Sequence, residues 1–325
     1  MKELLYVGLA VLGARFFNKK SPAIVSWSLT DRCDRHCGYC SRWRGPQAEL
    51  NTEQVFSVIN QLSAMKVRIV IFTGGEPFVR QDLREIINYT HNKGIYTILH
   101  TNAGLLSSRS GDIRNLNKII FCLLGPEKVN DALRGEGSYD NVLSGIKIAR
   151  RYGVRPGLLT VLCRQNLDSL EHVLELCESF NVHAVFQPLV RHLLDENNAH
   201  LVIPAEDKYR KAVNKLILLK KKGNRYINNS LVSLKHLLLW PAPIRVKCPG
   251  GFVYCRIDAK GDISYCDKPG WPAGGNVLKN GLSRSFASLT PHFCDSCWCA
   301  MRVELGRCME LDLNCLCNFL ETSLF

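Results

Sequence analysis

The segment AIVSWSLTDRCDRHCGYC, residues 23–40, joins an apolar run to three closely spaced cysteines. The run is apolar on nearly every residue, the pattern of a strand buried on both faces. Directly after it, Cys33, Cys37 and Cys40 follow a C-x3-C-x2-C spacing that gives three thiolates to one compact loop. A cubane iron–sulfur cluster takes four cysteine sulfurs. With only three, one iron stays open to an exchangeable ligand that can trade electrons with the cluster at bonding distance. A structural zinc loop with a fourth ligand elsewhere is the other reading of the triple, although zinc loops usually space their cysteines as separated C-x2-4-C pairs.

Five further runs of the same kind follow: RIVIFTG at 68–74, IYTILHT at 95–101, KIIFCLL at 118–124, GLLTVLC at 157–163 and HAVFQPL at 183–189. Helix-period stretches separate them: 52–66, opened by Asn51 or Thr52; 81–93, closed by Gly94; 139–152, closed by Gly153; and 168–180, opened by Asp168. Repeated strand–helix order with doubly buried strands predicts a parallel sheet covered by helices, with right-handed crossovers. A doubly wound sheet and a barrel both satisfy that pattern. In a barrel the chemistry sits at the C-terminal strand ends, where Cys33, Gly74, Asn102 and Gln187 all fall.

CDRHCGYC, with the aromatic Tyr39 before its third cysteine, resembles the signature of the radical S-adenosylmethionine (SAM) superfamily. The resemblance implies an α/β fold, a partial (β/α)6 barrel of the TIM type. It also implies a [4Fe-4S] cluster on Cys33, Cys37 and Cys40, with SAM on the open iron. Reductive cleavage of SAM would then give a 5′-deoxyadenosyl radical that abstracts hydrogen from a substrate. A reductant such as flavodoxin or ferredoxin belongs to the same expectation. FTGGEP, after the second strand, resembles the family turn that holds the SAM amino group, so that role is carried to Gly74, Gly75, Glu76 and Pro77. HTNAG at 100–104 resembles the turn after the third strand, with Asn102 as cofactor contact. After the fourth strand, Asp131 and Arg134 match an Asp-x-x-Arg pattern, which makes Arg134 a partner for the SAM carboxylate. Cys122 and Leu124 stand where relatives carry Ser and Asp, and this departure implies a more apolar pocket.

After about residue 200 the alternation stops. The expected division is an apolar N-terminal segment (1–20), a barrel (21–200), a helical bridge (201–245) and a cysteine-rich tail (246–325). The bridge contains AEDKYRKAVNKLILLKKKGNR, whose Ala212, Val213, Leu216, Ile217 and Leu219 recur at helical spacing and whose lysines form the exposed face. The tail reads C-x12-G-x4-C from Cys248 to Cys266, with Gly261 at the turn of a hairpin, followed by Cys294 and Cys297 as C-x2-C. This resembles the Twitch form of the SPASM domain, in which such cysteines hold an auxiliary [4Fe-4S] cluster. A full SPASM pattern would need further cysteines where Val303 and Arg307 stand. Zinc satisfies the same four-sulfur geometry. Cys255, Cys299, Cys308, Cys315 and Cys317 stay unassigned, and Cys122, Cys163 and Cys177 read as small core residues.

The chain has 325 residues, 46% hydrophobic and 22% charged, enough for a large domain and a smaller one. Fifteen cysteines without a secretory signal point to a reduced compartment, the cytoplasm, and to thiolates reserved for metal. A net charge of +13 implies anionic partners. The apolar stretch from Leu4 to Ala14, followed by Arg15, Lys19 and Lys20, is too short to span a bilayer. It either packs on the main domain or makes a peripheral membrane contact. No recognised module for nucleic-acid readout is present, so a zinc-binding nucleic-acid protein is a distant reading. A non-catalytic radical SAM scaffold is another. The short stretch before the barrel leans the substrate toward a small or lipid-like molecule, with peptide maturation as the alternative.

Overall fold

The structure is a computed structural model. It describes residues 2–45, 48–190, 194, 199–244, 246–268, 273–290, 293–294 and 297–322, and for 2, 4, 293, 294, 317 and 319–322 the backbone alone. After helix α1 (Lys2–Phe17), the six apolar runs become strands β1 (Ile24–Thr30), β2 (Ile69–Gly74), β3 (Tyr96–Thr101), β4 (Lys118–Cys122), β5 (Arg155–Leu162) and β6 (Ala184–Pro188). Each pairs in parallel with the next. The covering helices are α2 (Thr52–Ala64), α3 (Leu83–Asn92), α4 (Glu127–Arg134), α5 (Ser138–Arg151) and α6 (Leu170–Ser179). Helices α7 (Ala199–Val202), α8 (Glu206–Lys221) and α9 (Leu231–Leu237) follow.

The tail contributes β7 (Val246–Lys247), β8 (Tyr254–Ile257), β9 (Ile263–Ser264), α10 (Val277–Asn280), α11 (Leu282–Ala287), β10 (Phe293–Cys294), α12 (Ala300–Met309) and α13 (Leu313–Thr322). Strand β8 joins the free edge of β1 in parallel, and β9 returns antiparallel around Gly261, whose φ of +88° suits glycine at the hairpin turn. The sheet order is therefore β6-β5-β4-β3-β2-β1-β8-β9, open rather than closed. Of the two architectures that the periodicity allowed, the curved, unclosed sheet of a partial barrel is the one formed. Helix α12 packs against α9, α1, β7 and β6.

Local chemistry explains the boundaries. Asn51 and Gln54 form a reciprocal capping box at the start of α2, which then buries Val55, Val58, Ile59 and Leu62 against the sheet. Gly145 lets α5 settle on β4, because a Cβ there would lie 2.8 Å from the Phe121 ring. Helix α4 carries too few apolar residues to show a period; it buries Asn130, Leu133 and Arg134. In α8 the buried face is Tyr209, Ala212, Val213, Leu216 and Ile217, with Lys208, Lys211 and Lys215 outward, as the spacing predicts. Val7, Ala10, Val11 and Ala14 of α1 pack with Ile24, Ile69, Leu305 and Met309, across the end where the strands begin. Among the described residues no helix is long and apolar enough to cross a membrane.

Leu99 on β3 is fully buried in the main core. Leu99→Ala is expected to lower the unfolding free energy by about 2–5 kcal/mol, read from denaturant midpoints.

Candidate active site

The ends of β1, β2 and β3 are tied together by backbone hydrogen bonds. Gly75 N–H donates to the Thr30 carbonyl (2.9 Å) and Glu76 N–H to that of Arg32 (2.8 Å). A Cβ on Gly75 would stand 2.2 Å from the Arg32 carbonyl oxygen, and one on Gly74 2.2 Å from that of Thr30. The two glycines thus meet the backbone of the cysteine loop, and close approach of chain to chain is what requires them. Glu76 is fully buried. Its Oε1 accepts from Phe78 N–H (3.0 Å) and the Thr101 hydroxyl (2.8 Å), and its Oε2 from Asn102 N–H (2.7 Å). The Asn102 side chain donates to Asp34 (2.6 Å) and accepts from Gly104 N–H (2.7 Å). Pro77 is buried behind this turn. Burial raises the Glu76 pKa to about 7 even though its three donors favour the carboxylate.

Above this floor is a cavity of about 150 Å³. Cys33, Cys37 and Cys40 all line it, with Tyr39, Gly75, Asn102 and Arg134, so the structure brings most of the sequence-derived residues to one place. Gly38 N–H donates to the Leu133 carbonyl (2.9 Å), and Arg35 reaches the carbonyls of Arg134, Gly135 and Glu136, which anchors the cysteine loop on the end of α4. Arg134, buried, donates to the Tyr39 hydroxyl (2.9 Å), which lies 3.4 Å from the Cys122 sulfur. Cys122 is therefore a wall residue and not the core residue expected from its apolar strand. Strand parity alone could not show which face turns to the opening. Asp131 instead caps α5, accepting from Gly137 N–H, Tyr139 N–H and the Ser138 hydroxyl at 2.8 Å each. Leu124 is fully buried and packs with Leu133 and Val161. Cys163 and Cys177 are buried, with thiols pushed up by burial to about 11 and about 12, as inert core residues should be. His36 is exposed and packs tilted against Trp43, ring centres 4.2 Å apart.

The residues present fit a cluster and SAM. Burial pushes the Cys33 thiol up to about 12 and raises that of Cys37, so a bound cation is needed to hold them as thiolates. Among the described residues, the Nε–H of Arg35, the indole N–H of Trp43 and the Nε–H of Arg134 are buried without an acceptor on the walls of the same cavity. Such orphaned donors suit a ligand rich in acceptor oxygens and nitrogens. The sequence reading missed Arg35, Arg42, Trp43, Thr73 and His100 as wall residues; Arg42 and Trp43 lie two and three residues after Cys40, and His100 begins HTNAG.

A second cavity of about 280 Å³ shares Arg42, Thr73, His100, Ile120 and Leu159 with the first and continues into the barrel. Ile71, Val185 and Gln187 from the strands, and Tyr254, Asp267, Cys299, Arg302 and Glu304 from the tail, are among its other wall residues. Burial lowers the His100 pKa to about 4, with Lys118 adding to the effect, so its imidazole is neutral at neutral pH. Asp267, next to Cys266, pairs with Arg42 (3.1 Å) and with Arg256, which joins the tail to the cysteine loop.

In the tail, Cys248 and Cys297 are buried together with Val303, and the sulfur of Cys266 accepts from Lys268 N–H (3.4 Å). Arg302 is buried; burial opposes its charge, while Cys299, Tyr254, Cys266 and Cys297 sustain it. Strand β10 places the Cys294 backbone opposite Val246; the Cys294 side chain lies outside the described residues, as does that of Cys317. Cys255, Cys308 and Cys315 are buried, with raised thiol pKa values.

Two outcomes follow for the floor of the site. Gly75→Ala should displace the cysteine loop, so that reconstituted protein retains markedly less iron by colorimetric assay while its circular dichroism stays folded. Because the folded-state pKa of Glu76 is raised, its contribution is fully present below about pH 4.5 and is lost as pH rises through about 7. Glu76→Gln should remove that slope from melting curves of metal-free protein. It should also cost about 1–3 kcal/mol, since one donor then faces an amide N–H.

Residues 27–177 match the model of the radical SAM superfamily. The chain is 29% identical over 287 residues to the mycofactocin maturase MftC of Mycolicibacterium smegmatis, covering 80% of this chain and 69% of that protein. It is 28% identical over 169 residues to the Fe-coproporphyrin III synthase of Methanosarcina barkeri, covering 50% of this chain and 42% of the relative. The chain thus spans less than half the length of that synthase. Among solved structures, SAM-bound SuiB of Streptococcus suis superposes with a TM-score of 0.64 at 16% identity, covering 84% of this chain and 68% of that one. anSMEcpe with bound AdoMet and a peptide gives 0.66 at 17%, covering 82% and 80%. At such identity the likeness is one of fold. The cysteine triple, its glycine turn, the open parallel sheet and the family match together show that residues 27–177 form a radical SAM domain.

Proposed function

We propose that the chain is an enzyme in which Cys33, Cys37 and Cys40 hold a [4Fe-4S] cluster with SAM beside it, and in which the adjoining cavity holds the substrate. When bound, the cluster and SAM would supply an electron and the 5′-deoxyadenosyl radical that abstracts a hydrogen atom. The observation that carries this reading is the shared wall of the two cavities, formed by Arg42, Thr73, His100, Ile120 and Leu159. Asn102 and Arg134, with the free Nε–H of Arg35, would orient SAM. Ile71, Ile120 and Leu159 keep water from the junction, and neutral His100 offers a hydrogen bond there without a charge.

An auxiliary [4Fe-4S] cluster on Cys248, Cys266, Cys294 and Cys297 belongs to the same proposal, supported by the burial of Cys248 and Cys297 in one hydrophobic cluster and by the buried Arg302, whose charge Cys266 and Cys297 sustain. A flavodoxin- or ferredoxin-like reductant, a cytoplasmic location with peripheral membrane contact through α1, and the four-part division of the chain complete it. A small molecule fits the 280 Å³ cavity, which lies at the small end of ligand sites. Peptide maturation is the second reading, favoured by the extent of the overlap with the mycofactocin maturase.

The test is anaerobic reconstitution followed by iron and sulfide analysis and by detection of 5′-deoxyadenosine with SAM and dithionite. Full-length protein should form it, and Cys33→Ala, Cys37→Ala or Cys40→Ala should reduce it at least about a hundredfold, as loss of a reaction centre does. Bound zinc without sulfide would overturn the proposal, and cluster without 5′-deoxyadenosine would leave a scaffold. Cys248→Ala with Cys266→Ala should lower iron and sulfide by about one cluster per chain while 5′-deoxyadenosine still forms.

A further inference from the structure

The exposed apolar side chains of the first helix share one face. Leu5, Leu9, Leu12 and Phe16 are 67%, 59%, 42% and 62% exposed, and they recur at helical spacing opposite the buried Val7, Ala10, Val11 and Ala14. Phe17 adds a further 82% exposed ring. A contiguous apolar surface of this kind needs a partner. Helix α1 lies across the end of the barrel where the strands begin, since its inner face meets Ile24 and Ile69, the first residues of β1 and β2.

The same end carries positive charge. In a parallel sheet every segment that leads into a strand lies at this end. The segments 65–68, 93–95, 114–117, 152–154 and 180–183 enter β2 to β6, and 222–226 leads to Ile227, which bridges to β6 in parallel. None contains an Asp or Glu, whereas Lys66, Lys93, Arg114, Lys222 and Arg225 are exposed on them. Arg68 lies over the Tyr6 ring at 4.8 Å, near Glu3, and so links this charge to α1, and Arg15 and Lys19 are exposed at the C-terminal end of the helix. Glu178 at the end of α6 acts on Arg225, and the exposed Lys and Arg side chains outnumber these two carboxylates.

We infer that this end of the barrel docks on an anionic lipid surface, with Leu5, Leu9, Leu12, Phe16 and Phe17 entering the headgroup boundary and the surrounding Lys and Arg side chains meeting lipid phosphates. Apolar insertion framed by cationic side chains is the chemistry of an interfacial helix. A second copy of this chain would bring the same positive ring against itself, which disfavours self-contact as the occupant. The inference deepens the membrane contact of the proposed function and does not depend on the radical chemistry. The cysteine loop sits at the opposite strand ends, so docking holds the enzyme at a membrane with its cavities facing water. The surface localises the protein and does not feed lipid into the site.

The experiment is vesicle co-sedimentation of the full-length chain with phosphatidylcholine alone and with 30% phosphatidylglycerol added, in about 0.1 M salt. Binding should be at least about tenfold stronger with the anionic lipid. Leu9→Gln with Phe16→Gln should abolish it without changing the circular dichroism, because both side chains are exposed. Leu12→Trp should show a blue-shifted emission on anionic vesicles only. Equal binding to both vesicle types, or binding that survives Leu9→Gln with Phe16→Gln, would overturn the inference. So would sedimentation of a dimer in lipid-free buffer that those substitutions dissolve. 5′-Deoxyadenosine formation by the Leu9→Gln, Phe16→Gln protein should be unchanged, so failure of docking and failure of the radical reading are told apart.

Discussion

Glu76 is the group on which the site depends. Its buried carboxyl receives hydrogen bonds from the turn that follows β2 and from Thr101 and Asn102 at the end of β3, while its own amide holds the Arg32 carbonyl of the cysteine loop. Asn102 extends the chain of contacts to Asp34. Three loops from three strands become one rigid floor. A cluster loop needs this rigidity because its cysteines must hold their spacing before any metal arrives, and thiols do not attract one another. The glycines make the clamp sterically possible, and the carboxyl makes it specific.

The tail is tied to this floor by charge and by sheet pairing. Strand β8 continues the barrel's sheet beside β1, and Asp267, one residue after Cys266, pairs with Arg42, two residues after Cys40. The loop of the proposed auxiliary cluster and the loop of the first thus share an ion pair whose other partner, Arg256, comes from β8. The larger cavity lies between them, walled by strands on one side and by the N-terminal part of α12 on the other. An open sheet is what allows this, since a closed barrel would have strands where the tail's side chains stand.

Much of the arrangement was legible in the chain. The six strands and the helices α2, α3, α5 and α6 follow from doubly buried runs and capping residues, and the positions of Cys33, Gly74, Asn102 and Gln187 at strand ends follow from the parallel order. Helix α4 was not, because its buried residues include Asn130 and Arg134, which carry no apolar period. Cys122 was misread for a related reason. An apolar strand buried on both faces does not say which face turns to a cavity, and here the Tyr39 hydroxyl and the opening beside it meet the thiol.

By itself the sequence determined the chemistry available: three thiols at cluster spacing, a glycine turn, a second set of cysteines, and the strand order that gathers them at one end. Local spacing and periodicity encode these because they involve neighbours along the chain. The tertiary structure alone decided that Glu76 faces inward as a clamp, that His100 and Arg42 stand between two cavities, and that the first helix keeps an apolar face outside above a ring of positive charge. Each of those depends on contacts between residues far apart in sequence, and a one-dimensional pattern carries no record of which distant segments meet.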